Sequence, residues 1–165
     1  MKKIIFLTFI ILTSCTSKKN LSSEKTIINN ILNNWHQDAS NTNFKNYFNA
    51  MAEESIFIGT DATENWNKKE FMSFAKPYFD KGKAWNFTSL ERNVYFSENG
   101  KTAWFDELLN TQMKICRGSG TLVKENNQWK IKHYVLSMTV PNENSNEVIK
   151  IKTFIEDKII EEKKK

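Results

Sequence analysis

The spacing of apolar side chains changes once along this 165-residue chain, near Ala84. Before Ala84, apolar residues recur at the spacing of an amphipathic helix, as in Ile28, Ile31 and Trp35. After Ala84, apolar and polar residues alternate, which is typical of strands with one buried face. Helices that precede a run of antiparallel strands predict an α+β fold, with the helices packed on one side of the sheet.

The first part of the chain predicts two helices and a strand. The first helix begins at Ser22 or Ser23, either of which can cap it, and it reaches Trp35. A short second helix covers residues 44–51, and a brief buried strand over residues 55–59 follows it.

A third helix has a start signal and a stop signal. Asn67 and Glu70 have the spacing of a capping box, which satisfies free N–H groups at a helix N-terminus. Pro77 lacks an N–H and clashes with the preceding turn, so we expect this helix to end near Ala75 or Lys76.

Turn residues divide the rest of the chain into strands. Asn99-Gly100 is a strong hairpin signal, and Asn126-Asn127 predicts another reversal. A strongly curved sheet with three helices across its open face forms a cone, with a pocket between helices and sheet. The predicted strands cover residues 85–96, 101–112 with a continuation to 124 beyond a bend or bulge, and 128–139, and a charged amphipathic helix or tail covers 142–165.

The first residues have the layout of a secretory signal. Two lysines precede an apolar run over residues 4–12, and small residues follow it. The segment Leu12-Thr13-Ser14-Cys15 resembles the lipobox of bacterial lipoproteins, which implies removal of residues 1–14 and a lipid on the Cys15 thiol. An ordinary cleaved signal and a short membrane anchor are the alternatives, although the run is shorter than the roughly 20 residues that span a bilayer.

The resemblance to a lipobox also implies a location in the cell envelope. The mature chain would start at Cys15, and residues 15–22 would form a lipidated tether. Residues 23–141 would then form a domain on the periplasm-facing side of a membrane. Membrane lipid, attached through Cys15, is therefore an expected partner.

Charge and cysteine content exclude several kinds of function. The formal net charge of +5 falls to +3 when residues 1–14 are removed, and no basic cluster is interleaved with aromatic residues, so nucleic-acid binding is not expected. Cys116 has no free partner in the lipidated form, and burial as a small apolar residue is a simpler role for it than nucleophilic catalysis. His36 and His133 lack the spacing of metal ligands, so we expect no metal and no cofactor.

Several segments between residues 24 and 141 form a familiar pattern. They are the helix that ends in Trp35, residues 57–61 (FIGTD), Glu64 with Trp66, and residues 76–79 (KPYF), 103–106 (AWFD), 117–120 (RGSG) and 129–137 (WKIKHYVLS). Together they resemble the SnoaL-like branch of the nuclear transport factor 2-like superfamily. That resemblance implies a cone-shaped, cystatin-like roll, and such domains often dimerise through the outer face of the sheet. The superfamily includes isomerases, cyclases, dehydratases and binding domains without catalysis, so its fold alone assigns no chemistry.

The faces of the strands identify candidate acids and bases. In a regular last strand, Trp129, Ile131 and His133 share the apolar face, so we expect His133 to face the pocket, as an acid or base or as a neutral core histidine. Asp106 and Glu107 point to opposite faces of their strand, and either would be a carboxyl group among apolar neighbours, whose pKa is raised. His133 with Asp106 or Glu107 is the predicted catalytic pair.

Further residues are expected at the pocket. Asp61 follows a strand and either forms a turn through its side chain or takes part in catalysis. Arg117 either holds an anionic group or pairs with an acid on the neighbouring strand. The full set of predicted pocket residues is Trp35, Asp61, Trp66, Trp104, Arg117 and His133.

Three functions are compatible with these features. We favour a membrane-anchored lipoprotein whose domain binds a small apolar ligand or a protein partner without catalysis. The first alternative is a cofactor-free isomerase, cyclase or dehydratase that uses the histidine–carboxylate pair. The second alternative is an interaction module that forms a homodimer through its sheet.

The lipid anchor can be tested directly. In the Cys15→Ser variant we expect no incorporation of radiolabelled fatty acid and no cleavage of the precursor, because the thiol that accepts the lipid is absent. Cys116→Ser is the matched control and should be labelled normally. Normal labelling of Cys15→Ser would show that the anchor prediction is wrong.

Overall fold

The computed structural model describes residues 21–165. The predicted signal segment, Cys15 and most of the predicted tether therefore lie outside the described residues. Within residues 21–165, no helix combines the length and the apolar character that crossing a bilayer requires.

Helices come first and a meander of long strands follows, which confirms the predicted α+β class. The strands form one six-stranded sheet in the order β2-β1-β6-β5-β4-β3, in which β1 and β6 are parallel and the other neighbours are antiparallel. The elements are α1 (Leu21–Ser40), α2 (Phe44–Asn49), β1 (Met51–Ile58), β2 (Asn65–Asn67), α3 (Lys68–Asp80), β3 (Phe87–Phe96), β4 (Thr102–Thr111), β5 (Lys114–Glu125), β6 (Gln128–Met138) and, after a 3-10 turn (Asn142–Asn144), α4 (Ser145–Lys163).

Helix α3 begins as predicted but runs further than predicted. The Asn67 side chain accepts a hydrogen bond from the Glu70 N–H (3.0 Å), and the Glu70 carboxylate accepts one from the Asn67 N–H (2.9 Å), so the capping box is formed. The predicted end near residue 75 is wrong, because the helix continues through Pro77 to Asp80. The added turn buries Phe79 among other aromatic rings, and this burial offsets the hydrogen bond that proline cannot make.

A second difference concerns the segment around residue 112. The sequence predicts a bend there. The chain instead reverses completely, and β4 pairs with β5 from Thr111↔Lys114 onward. The turn contains no glycine or proline. Lys114 adopts a positive φ of 70°, and the Thr111 hydroxyl accepts a hydrogen bond from the Met113 N–H (2.9 Å). A side-chain hydrogen bond thus replaces the usual turn residues.

Strand β6 is irregular at one residue, and this decides which side chains face the core. Ile131 pairs with Leu122 and His133 pairs with Thr121, so Lys132 is an extra residue without a partner on β5. A bulge of this kind reverses the alternation of side chains. Beyond it, Tyr134 is fully buried while His133 is half-buried on the other face. The predicted inward orientation of His133 is therefore wrong.

Helix α4 is present where an amphipathic helix or tail is predicted, but none of its residues is buried. Ile151 and Phe154 are 78% and 72% exposed. The helix thus projects from the body, and its apolar side chains are not covered by residues 21–144.

Candidate functional site

A buried acid lies at the centre of the cone. Glu107 on β4 is 2% exposed, and both of its carboxylate oxygens are bound by protein groups. The His36 Nε2 lies 2.9 Å from Oε1, and the Tyr134 hydroxyl donates to the same oxygen (3.1 Å). The Arg92 Nε donates to Oε2 (2.8 Å), and a terminal guanidinium nitrogen lies 2.7 Å from it. We call these four residues the Glu107 cluster.

The elements bring the Glu107 cluster together from distant parts of the chain. Arg92 on β3 is directly opposite Glu107 in the β3–β4 register, and the bulge on β6 turns Tyr134 inward. His36 reaches the cluster from α1. Arg92 also donates to the Asn29 carbonyl (3.2 Å) and to the Asn33 side chain (2.7 Å) on α1. The cluster therefore ties the first helix to the sheet.

Gly118 leaves the space that the cluster needs. It lies on β5 between Glu107 and Leu136, and a Cβ built there would overlap the Tyr134 hydroxyl and approach the Glu107 carboxylate to 2.9 Å. The absence of a side chain at Gly118 therefore allows Tyr134 and Glu107 to approach each other closely.

Electrostatics keep the acid ionised. Burial alone would raise the pKa of Glu107. Hydrogen bonds from His36 and Arg92, the charge of Arg92, and the charge that His36 carries when protonated together outweigh burial and lower that pKa below its ordinary value. Burial and the negative charge of Glu107 raise the pKa of Tyr134 well above its ordinary value. Glu107 is therefore a carboxylate and Tyr134 a neutral donor at neutral pH. The predicted raised pKa for an acid in this strand is wrong for Glu107, because opposite charges compensate its burial.

His36 also lines a polar pocket of about 360 Å³ between α1 and the start of β3. Within residues 21–165, its Nδ1 forms no hydrogen bond, so this nitrogen is available for one. The other lining residues carry mainly amide and hydroxyl groups: Asn33, Gln37, Ser40, Asn86, Phe87, Thr88 and Ser89.

A second pocket, of about 180 Å³, opens beside the polar one, and we call it the aromatic pocket. Phe87 lines both pockets and lies against the His36 ring, with 5.8 Å between ring centroids. Phe87 thus separates the aromatic pocket from the Glu107 cluster. The apolar walls of the aromatic pocket are formed by Phe57, Trp66, Phe71, Phe74, Trp85, Phe87, Met113 and Leu136. Its other lining residues are Gly59, Thr60, Glu64 and Gln112.

The structure separates the residues of the predicted catalytic pair. Glu107 faces the core, whereas Asp106 faces outward and accepts a hydrogen bond from Asn93 (3.2 Å). His133 lies on the outer face as well, because of the bulge at Lys132. A pairing of His133 with Glu107 would have to cross the sheet, so the predicted pair does not assemble.

The predicted pocket residues lie in different parts of the structure. Trp66 lines the aromatic pocket, but Trp35 is 1% exposed and belongs to the solid core. Trp104 is 46% exposed on the outer face, where it stacks on Tyr95 with ring centroids 5.9 Å apart. Arg117 is exposed on that face, so it neither lines the pocket nor pairs with Glu107.

Asp61 adopts the turn-forming alternative. Its carboxylate accepts hydrogen bonds from the Thr63 N–H (2.8 Å) and the Thr63 hydroxyl (2.6 Å). These bonds lower the pKa of Asp61, which is exposed in the loop between β1 and β2. Cys116 is fully buried, as expected for a small apolar residue.

Three members of the Glu107 cluster are absent from the site residues predicted above, although the sequence contains a signal for two of them. His36 lies four residues after Leu32 and so falls on the apolar stripe of the first helix. The Asn99-Gly100 turn predicts the position of Arg92. Counting outward along both strands from that turn pairs residue 92 with residue 107. Tyr134 left no such signal, since the bulge at Lys132 has no mark in the sequence.

Solved structures described as NTF2-like share the fold of this chain. A sequence profile described as SnoaL-like domain matches residues 28–141, so the chain belongs to the SnoaL-like domain family. A comparison with curated proteins gave no match.

Solved structures with the same fold are distant in sequence. An NTF2-like protein of unknown function from Pseudomonas putida KT2440 is 12% identical, with a TM-score of 0.63 over 74% of this chain and 92% of that one. A putative dehydratase of the NTF2-like family from Streptomyces avermitilis is 9% identical, with a TM-score of 0.63 over 73% and 99%. The association domain of C. elegans CaMKII is 18% identical, with a TM-score of 0.59 over 71% and 97%. At these identities the likeness shows the fold alone.

The Glu107 cluster makes a stability prediction. Glu107→Gln leaves the buried Arg92 guanidinium without its counter-charge, and we expect the free energy of unfolding to fall by about 3 kcal/mol. Asp106→Asn is the matched control, because it removes the neighbouring acid on the outer face, and we expect a change below about 1 kcal/mol. Urea denaturation followed by circular dichroism measures both. Equal losses in the two variants would contradict a central role for Glu107.

Proposed function

We propose that this protein is a lipid-anchored component of the cell envelope whose SnoaL-like domain binds a small apolar ligand in the aromatic pocket without catalysis. The observation that carries the proposal is the separation between this pocket and the Glu107 cluster. The cluster holds α1 on the sheet, and Phe87 stands between it and the pocket. Among the residues that line the aromatic pocket, Glu64 is the single titratable group, so the pocket lacks an acid–base pair.

The size of the pocket limits the ligand. A cavity of about 150 Å³ accommodates benzene. The aromatic pocket, at about 180 Å³, therefore suits one ring with small substituents rather than a fused four-ring skeleton. Location at the membrane is inferred from the lipobox-like segment around Cys15, and labelling of the Cys15→Ser variant tests it.

Filling the pocket should abolish binding. We expect toluene and indole to shift the indole N–H signals of Trp66 and Trp85 in NMR spectra of the purified protein. Met113→Trp places a larger side chain on the pocket wall, so the affinity should fall at least tenfold. Met138→Trp is the matched control, since Met138 is 56% exposed away from the pocket. If both variants bind as well as the original protein, ligands do not enter this pocket and the proposal fails.

The arrangement of His36 favours a second candidate function. A carboxylate holds one imidazole nitrogen, and the ring lines a polar pocket, which is how a general base is oriented. Such a base would move a proton next to a carbonyl group without a cofactor, as in an isomerase, cyclase or dehydratase. This candidate keeps the idea of a histidine–carboxylate pair but assigns it to His36 and Glu107.

Proton exchange distinguishes this candidate from simple binding. A general base at His36 would accelerate the exchange of α-protons of small ketones with D₂O, which NMR measures. Under this candidate, His36→Gln should lose the acceleration, whereas His133→Gln, on the outer face, should keep it. Exchange no faster than in buffer, or equal exchange in both variants, would eliminate His36 as a catalytic base.

We further propose that a second copy of the chain covers the outer face of the sheet. Tyr95 and Trp104 form an exposed stacked pair there, and Ile115 on β5 is 49% exposed. The similarity to a domain described as an association domain supports assembly through this fold. Burial of these side chains is the driving force that we expect for dimerisation.

Light scattering tests the dimer. We expect Trp104→Glu to halve the measured mass, because it places a charge in the proposed interface. Ile151→Glu on α4 is the control and should leave the mass unchanged. Dissociation by Ile151→Glu alone would assign the interface to α4 and refute the proposal.

A further inference from the structure

The aromatic pocket has one charged edge. Glu64 lies in the loop between β1 and β2, and its carboxylate accepts a hydrogen bond from the Asp61 N–H (3.2 Å). The same carboxylate lies against Gly59, where a Cβ would overlap it. Glu64 and Gly59 both line the pocket. Contacts with the backbone therefore hold the negative charge of Glu64 at the rim of the pocket.

The residues that line the pocket carry charge of one sign. Among the described residues that line it, Glu64 is the charged one, and within residues 21–165 no lysine, arginine or histidine forms an ion pair with it. Lys83 lines an adjoining groove, which shares Phe74 and Trp85 with the pocket but not Glu64. A positive group is therefore favoured at the Glu64 edge, and an anionic group is disfavoured there.

The aromatic walls favour the same kind of ligand. Six aromatic side chains line the pocket, and the planes of Trp66 and Trp85 lie within 11° and 19° of the Phe71 ring plane. The faces of such rings carry negative electrostatic potential and attract organic cations, tryptophan most strongly. A carboxylate beside indole rings is thus a combination that recognises substituted ammonium groups.

We propose that the natural ligand of the aromatic pocket is a small aromatic or alkyl amine, with its ammonium group between Glu64 and the ring of Trp66. This inference rests on the proposed ligand-binding function and names the chemical class of the ligand. The apolar part of the amine fills the space lined by Phe71, Trp85 and Leu136. The ammonium group gains the carboxylate as counter-ion at the half-buried edge.

Two probes of nearly equal shape test the charge. Phenyltrimethylammonium carries a positive charge, and tert-butylbenzene replaces its nitrogen with carbon. Each is titrated into the purified full-length protein, and the indole N–H signals of Trp66 and Trp85 report binding. Glu64→Gln should weaken binding of the cation about fivefold and leave binding of the neutral probe unchanged. Glu98→Gln, in the exposed β3–β4 turn, removes the same charge far from the pocket and should change neither affinity.

Each outcome has a distinct meaning. If the neutral probe binds while the cation does not, or if Glu64→Gln leaves cation binding unchanged, the amine inference is wrong and the pocket proposal stands. If Glu64→Gln weakens both probes equally, the substitution has altered the shape of the pocket, and the amine inference is again overturned. If neither probe binds, the proposed ligand-binding function itself fails.

Discussion

The fold is organised around the need to keep one buried carboxylate charged. Removing an ion from water costs several kcal/mol unless partners replace its hydration. Glu107 obtains those partners from three directions: a guanidinium on the next strand, an imidazole on the first helix and a phenol two strands away. Each contact fixes the position of an element, so the charge orients α1 over the sheet, whereas apolar packing alone would leave that orientation less specified. The aromatic core supplies the bulk of the burial around this point.

The sequence predicts the class of fold because its strongest signals are local. The change from helical to alternating spacing, the capping box of Asn67 and the Asn99-Gly100 turn each depend on neighbouring residues alone, and all three are found. The errors arise where another contact overrides the usual signal. Burial of Phe79 carries α3 past Pro77, and the Thr111 hydroxyl makes a hairpin without glycine. The contacts of Phe79 involve residues distant in sequence, whereas the Thr111 hydrogen bond is local but lies outside the glycine and proline signals for turns.

The site was less predictable than the fold, because one extra residue on β6, Lys132, changes which side chains face the core. Alternation along a strand assigns faces correctly until a bulge occurs, and then every later assignment is reversed. On β4, which is regular, one known buried side chain would have been enough to decide whether Asp106 or Glu107 faces the core. On β6, the extra Lys132 exchanges His133 and Tyr134, so the sequence points to an imidazole where the structure has a phenol. The histidine that contacts Glu107 is His36, on the apolar stripe of the first helix.

Phe87 separates two compartments of opposite character. On one side a carboxylate-bound imidazole lines a polar pocket, and on the other aromatic walls enclose an apolar one. Replacement of Phe87 by a smaller side chain would remove part of the wall that the two pockets share. The position of this ring therefore determines how far a molecule in the aromatic pocket lies from the imidazole of His36.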